Sequence, residues 1–102
     1  MMRSRYYVLN DHTPVPCSLS EWATWFETAD HHVAHVNLRK GAVTVSTVFL
    51  GYDLNFSTGG PPILFETMVF GGRLDQEWEC ERYTTWDDAK AGHDAMVEKY
   101  RR

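Results

Sequence analysis

Apolar side chains are most concentrated in the middle of the chain, in two segments joined by a loop rich in Gly and Pro. Residues 42–50 and 63–70 both have apolar side chains at odd and at even positions. Successive side chains of a strand point to opposite faces of its sheet. The pattern therefore predicts two neighbouring central strands that are covered on both faces.

The rest of the chain adds further strands and two helices to this pair. Short apolar or alternating segments predict strands at residues 5–10, 33–38 and 77–83. Ser18 and Thr85 each precede an apolar stripe with helical spacing, and each has an acidic residue three positions later, as in a capping box. The resulting order, β-α-β-β-β-β-α, predicts an α+β fold. We expect a mainly antiparallel sheet of about five strands with two helices packed on one face, and the first strand could pair at either end of the other four.

We expect a single hydrophobic core, shared by the helices and the two central strands. Aromatic residues should dominate it, since each ring buries a large apolar area. Its expected members are Trp22, Phe26, Val45, Phe49, Phe65, Val69, Trp86 and Met96.

Length and charge limit the possible functions. A chain of 102 residues suits one domain, residues 1–102. The net charge of −4 argues against a general nucleic-acid-binding protein, which would present basic residues. Cys17 and Cys80 lack the spacing of zinc ligands, and neither a secretory signal nor an apolar membrane span is present. We therefore expect a cytoplasmic protein with two free thiols and no membrane association.

Glu66 is the unusual residue of the second central strand. It shares a face with Leu64, Met68 and Phe70, where an ionised carboxylate is costly unless it is paired or hydrogen-bonded. One interpretation is a structural ion pair, for example with Arg82. The other is a ligand-facing or proton-handling group with a raised pKa.

The loop at residues 51–62 is the second candidate site. It is too long for a tight hairpin turn, and Tyr52, Asp53, Asn55 and Phe56 make it a possible ligand-binding element. Its glycines match no phosphate-binding motif. The structural alternative is a loop folded back on itself by local turns of Asp53 and Asn55.

The third candidate is the alternating segment EWECERY. Alternation predicts that Glu77, Glu79 and Glu81 share one face of a strand. Such a face is either a solvated surface that blunts an edge strand or an acidic patch for a basic partner.

Histidines complete the candidates. His31, His32 and His35 cluster, but a strand is predicted to start among them and no metal motif follows, so we expect no metal and no other cofactor. His93 lies on the apolar stripe of the second helix. That position favours a hydrogen-bonded core residue over a catalytic one.

Three segments, STVFLGYDLNF, GGPPILFETMVFGG and ERYTTWDDAKAGH, carry a resemblance. They are similar to a family of small, uncharacterised proteins encoded by tailed phages and prophages. The likeness covers most of the chain from Ser18 onward and is most specific over residues 46–72. It implies a phage accessory protein in the cytoplasm of the infected bacterium, and it transfers no catalytic residues.

These observations favour a non-enzymatic protein that binds and inhibits a host protein of a defence system, such as a CRISPR component. Glu77, Glu79 and Glu81 would form the contact. The first alternative is a protein that binds a small molecule or nucleotide signal through the loop 51–62. The second is a small enzyme that uses Glu66, Asp53 or His93 as acid or base, although no nucleophile–base set is recognisable. Both a monomer and a homodimer are compatible with the sequence.

Overall fold

The computed structural model describes residues 4–57, 59–72 and 76–101, and in this part of the chain six strands and two α-helices form. This confirms the predicted α+β class. The elements are β1 (Tyr6–Asn10), β2 (Thr13–Cys17), α1 (Leu19–Thr28), β3 (His32–Leu38), a 3-10 turn (Arg39–Gly41), β4 (Val43–Phe49), β5 (Phe65–Gly71), β6 (Gln76–Tyr83) and α2 (Trp86–Tyr100).

The four later strands form one antiparallel sheet in the order β3-β4-β5-β6, as predicted. Each strand pairs with the next along the chain, as sequential antiparallel strands usually do. The turn between β3 and β4 places Arg39, Lys40 and Gly41 at positive φ, which reverses the chain within three residues.

The first strand pairs with neither edge of this sheet. It forms a separate antiparallel hairpin with β2, a strand that the sequence pattern did not predict because its residues, TPVPC, include two prolines. The Tyr7 amide donates away from β2, to the Gly51 carbonyl at 2.7 Å. Pro14 and Pro16 lie opposite Leu9 and Tyr7, at positions where the backbone groups point away from the partner strand. The amide protons that the two prolines lack are therefore not needed for the hydrogen bonds between β1 and β2.

Helix α2 covers one face of the four-stranded sheet and contacts all four strands. The odd-numbered residues of β4 and β5 face it and are buried, whereas the even-numbered residues remain partly exposed. The expectation that both faces of the central strands are covered was therefore wrong. The buried set on the covered face is Val43, Val45, Thr47, Phe49, Phe65, Thr67 and Val69.

The covered face contains two hydrophobic clusters rather than one core. Phe49 and Phe65 belong to the first cluster and Val45, Val69 and Met96 to the second. Trp25 and Trp86 pack against the first cluster, so both helices contribute to the same side of the sheet.

Trp22 and Phe26, expected in the core, belong to neither cluster. Helix α1 has no buried residue and contacts β1. Its Trp22 indole donates to the Leu50 carbonyl at 3.2 Å, and Phe26 stacks on His31 with ring centroids 3.9 Å apart. Only Trp25 turns toward Phe49, at a centroid distance of 5.7 Å. The helix therefore packs beside the end of β4 rather than across the sheet.

Candidate functional site

The face of the sheet that α2 does not contact is the first candidate surface, and we call it the open face. Directly paired residues of antiparallel strands project from the same side of a sheet, so the register identifies its members. They are His32, His35 and Asn37 of β3, Thr44, Ser46 and Val48 of β4, Glu66, Met68 and Phe70 of β5, and Cys80 and Arg82 of β6.

One end of the open face carries an ion pair. The register places Glu66 between Val48 and Arg82. The Arg82 Nε atom donates to Glu66 Oε2 at 3.0 Å, and the Glu66 side chain is only 13% exposed whereas that of Arg82 is 54% exposed. This hydrogen bond raises the pKa of Arg82. Glu66 thus forms the ion pair with Arg82 that its structural interpretation expected. The guanidinium group of Arg82 remains accessible to a partner.

The middle of the open face is less polar. Ser46, Met68 and Cys80 form one row across three strands, and all three are partly buried. Burial raises the pKa of the Cys80 thiol, and the Glu66 carboxylate raises it further. Cys80 is therefore a neutral thiol at pH 7, which suits a contact surface better than nucleophilic chemistry.

The loop at residues 51–62 is tied down by its own polar groups. Asp53 is 1% exposed, and its Oδ1 atom accepts from the amides of Asn55 at 2.8 Å and Ile63 at 2.9 Å. The Asn55 side chain donates to the carbonyls of Gly59 and Pro61. Local turns of Asp53 and Asn55 thus hold this loop, as in the structural alternative.

The two aromatic rings of the loop face different neighbours. Tyr52 is 40% exposed and meets the edge of Trp22 at a centroid distance of 6.0 Å. Phe56 is 79% exposed, and the Arg5 guanidinium carbon lies 4.8 Å from its ring centroid. Two clefts of about 280 and 310 Å³ lie elsewhere, one between β6 and α2 and one beside the start of α2. Neither is lined by a residue of the loop.

The three glutamates of β6 do not share one face. A β-bulge between the partners of Val69 and Phe70 sets Glu79 opposite Val69 and Glu77 opposite Phe70. Glu79 and Glu81 therefore lie on the side of α2, whereas Glu77 lies beside the open face. Alternation predicted a common face, and it fails here because a bulge inserts one residue into the period of two.

Glu79 has two partners within the chain. Its Oε1 atom accepts from Lys99 Nζ at 2.7 Å and from the Tyr100 hydroxyl at 2.6 Å. These two hydrogen bonds, that of Lys99 first, lower the pKa of Glu79. The carboxylate fastens the end of α2 to β6.

His93 lies inside the covered face. It is 4% exposed, and its Nδ1 atom is 2.8 Å from Thr47 Oγ1, which is 2.5 Å from Thr67 Oγ1. Burial lowers the pKa of His93. Because Thr67 and Glu66 are adjacent in β5, His93 and Glu66 lie on opposite faces of the sheet. Glu66 and His93, two of the three candidate acid–base residues of the enzyme hypothesis, therefore do not converge.

The histidine cluster does not form a metal site. Among residues 4–57, 59–72 and 76–101, no group of three His, Cys, Asp or Glu side chains is placed to hold a metal ion. His31 stacks on Phe26, and burial lowers its pKa. His32 bonds to Asp30 at 3.1 Å.

Sequence reasoning missed Val48, Met68, Cys80 and Arg82 as parts of one surface. The signal was present in the polar residues Thr44 and Ser46, which alternate with buried valines in β4. A second signal was the number of helices, because two helices on one face leave the other face uncovered.

Comparison with known proteins gives no relative that would assign this surface a role. No family model matches the chain, and no curated protein or solved structure matches it either. Within the part of the chain that the structure describes, neither helix has the length and apolar content to cross a bilayer. The candidate site therefore stands on its own geometry.

Proposed function

We propose that the protein is a non-enzymatic binding protein whose open face docks on another protein. The resemblance to phage accessory proteins suggests the partner, a host protein of an anti-phage defence system such as CRISPR, which binding would inhibit in the bacterial cytoplasm. The observation that carries the proposal is a four-stranded sheet with one face under α2 and the other partly exposed.

The chemistry of the open face suits a protein partner. Each of its three rows holds one apolar side chain that is neither fully buried nor fully exposed, namely Val48, Met68 or Phe70. Arg82 at one end and Glu77 near the other add charged groups of opposite sign. Apolar centres with charged margins are typical of protein interfaces, and Arg and Met are enriched there.

Geometry favours this function over the two alternatives. In the small-molecule hypothesis, Asp53 and Asn55 would have to bind a ligand with groups that already hold the loop. In the enzyme hypothesis, Glu66 and His93 would have to cooperate through the sheet. The sequence analysis expected Glu77, Glu79 and Glu81 to form the partner contact together. Of these three, Glu77 adjoins the open face, and Glu79 is paired with Lys99.

The test compares two substitutions of an apolar residue by lysine. Met68→Lys places a charge at the centre of the open face, and Leu19→Lys makes the same change at a position in α1 that is 55% exposed. Phage plating efficiency is measured on a defence-positive host that expresses each variant, with the defence-negative host as reference. We expect that the Met68→Lys variant no longer protects the phage from the defence system and that the Leu19→Lys variant still does. Equal protection by both folded variants would contradict the proposed surface, and no protection by the unchanged protein against any defence system tested would contradict the proposed role.

A further inference from the structure

The outer edge of β3 has no neighbouring strand in the described part of the sheet. Hydrogen bonds at the end of β4 show which neighbouring strand its backbone groups face. The Phe49 amide donates to the His31 carbonyl, toward β3, and the Leu50 amide donates to the Leu64 carbonyl, toward β5. Backbone groups of a strand alternate between its two edges. Odd-numbered residues of β4 therefore bond to β3.

The same alternation defines the free groups of β3. Ala34 and Val36 pair with the odd-numbered residues Thr47 and Val45, so their backbone groups point inward. The N–H and C=O groups of His35 and Asn37 then point away from the sheet. They form a row of unpaired donors and acceptors that another strand can match.

The two edges of the sheet are protected differently. Strand β6 carries three glutamates, one arginine and a bulge, all features that discourage pairing with another strand. Strand β3 contains no Lys, Arg, Asp, Glu or Pro in its seven residues, HVAHVNL. Its own irregularity, between His32 and Ala34, leaves the remainder of the strand regular.

Opposite charges flank β3. Asp30 precedes the strand, is 83% exposed and bonds to His32 of its own chain, and Arg39 and Lys40 follow the strand and are exposed. If two copies of β3 pair antiparallel about a two-fold axis at His35, Asp30 of one copy meets the turn with Arg39 and Lys40 of the other. The contact occurs twice, because a two-fold interface repeats every pair. Pairing about a two-fold axis at His35 also requires that the backbone N–H and C=O groups of His35 point away from the sheet, as they do.

The geometry points to a homodimer in which the β3 strands of two copies pair antiparallel at His35 and form a continuous eight-stranded sheet. Backbone hydrogen bonds of an added strand supply affinity, and the flanking charges set direction and register. The partner is a second copy because the edge is complementary to itself. This inference is independent of the proposed function, since the contact is made by backbone groups at the edge of β3 and not by the side chains of the open face.

Sedimentation equilibrium of the purified protein tests the inference without any host protein. We expect a mass of twice 11.8 kDa at high concentration. Lys40→Asp should weaken self-association by about tenfold or more, because at both ends of the interface it places a carboxylate opposite Asp30 and leaves Arg39 as the one cation of the turn. Asp tolerates the positive φ of 59° at this position. The double variant Asp30→Lys/Lys40→Asp should restore association, since it exchanges the two charges.

Two further variants complete the design. His35→Pro removes an outward-pointing donor and should yield a monomer, whereas Lys90→Asp, the same charge reversal on the exposed side of α2, should leave the dimer intact. Thermal unfolding checks that each variant is folded. A monomer at all concentrations, or a dimer that neither Lys40→Asp nor the charge exchange affects, would overturn the inference. If His35→Pro fails to fold, the charge-exchange series decides.

Discussion

Thr47 and Val48 are neighbours in β4, yet they belong to the two contrasting faces of the same sheet. Thr47 is fully buried and bonds to Thr67 and His93 under α2, whereas Val48 is partly exposed beside Glu66 on the open face. The polar residue lies inside and the apolar residue outside. The difference shows that the placement of α2, and not hydrophobicity alone, decides which face of this sheet becomes core.

The covered face should tolerate change far less than the open face. Phe49 is fully buried, so Phe49→Ala should lower the free energy of unfolding by about 3–5 kcal/mol. Val48→Ala, one position earlier, should cost roughly 1 kcal/mol, because it removes fewer and partly exposed methyl groups. Urea unfolding of the two variants measures the contrast. Similar losses would contradict the contrast between the two faces, because they would mean that Val48 is packed as tightly as Phe49.

An intermediate effect is expected at the Glu66–Arg82 pair. Glu66→Gln keeps the shape of the side chain but removes the charge, and Arg82 is half exposed. Solvent screens such a pair, so we expect a loss of about 1 kcal/mol rather than the larger cost of breaking a fully buried pair. Raising the salt concentration should reduce the difference between the variant and the unchanged protein. A variant as stable as the unchanged protein at low salt would show that the pair does not stabilise the open face.

The smallest expected effect is the pH dependence of the covered face. Burial lowers the pKa of His93 in the folded state, so the unfolded state binds a proton first as the pH falls. The contribution to stability is therefore complete above the unfolded value of about 6.5 and is lost as the pH falls from there toward the lower folded-state pKa. The lowered pKa of His31 acts in the same direction.

The check is the free energy of unfolding between pH 5 and pH 8 for the unchanged protein and for His93→Gln. We expect the unchanged protein to lose stability as the pH falls and the variant to show a flatter profile. His31→Gln serves as the matched variant, because burial also lowers the pKa of His31, which stacks on Phe26 of α1. If the free energy of unfolding of His93→Gln depends on pH as steeply as that of the unchanged protein, His93 does not cause the pH dependence.

The meander and both helices were predictable because alternation, capping residues and short connections are local signals. The open face was not, since an apolar pattern records that side chains can be covered but not what covers them. The bulge in β6 was hidden for a related reason, because EWECERY alternates without interruption while its pairing shifts. Strand β2 was hidden by Pro14 and Pro16, which are compatible with a strand only when their positions face away from a partner. The role of His93 as a hydrogen-bonded core residue could be read from the sequence, since its place on the apolar stripe of α2 is a local property.

The central claim is that the open face contacts a partner, and the two cysteines allow a direct measurement. Cys80 lies on the open face and Cys17 lies in β2, both partly buried and both free thiols. Maleimide labelling of each thiol is followed by mass spectrometry, first in the purified protein and then in extract of a host whose defence the protein inhibits. We predict that the extract slows labelling of Cys80 while that of Cys17 keeps its rate. Equal rates for Cys80 in the two samples would contradict the claim.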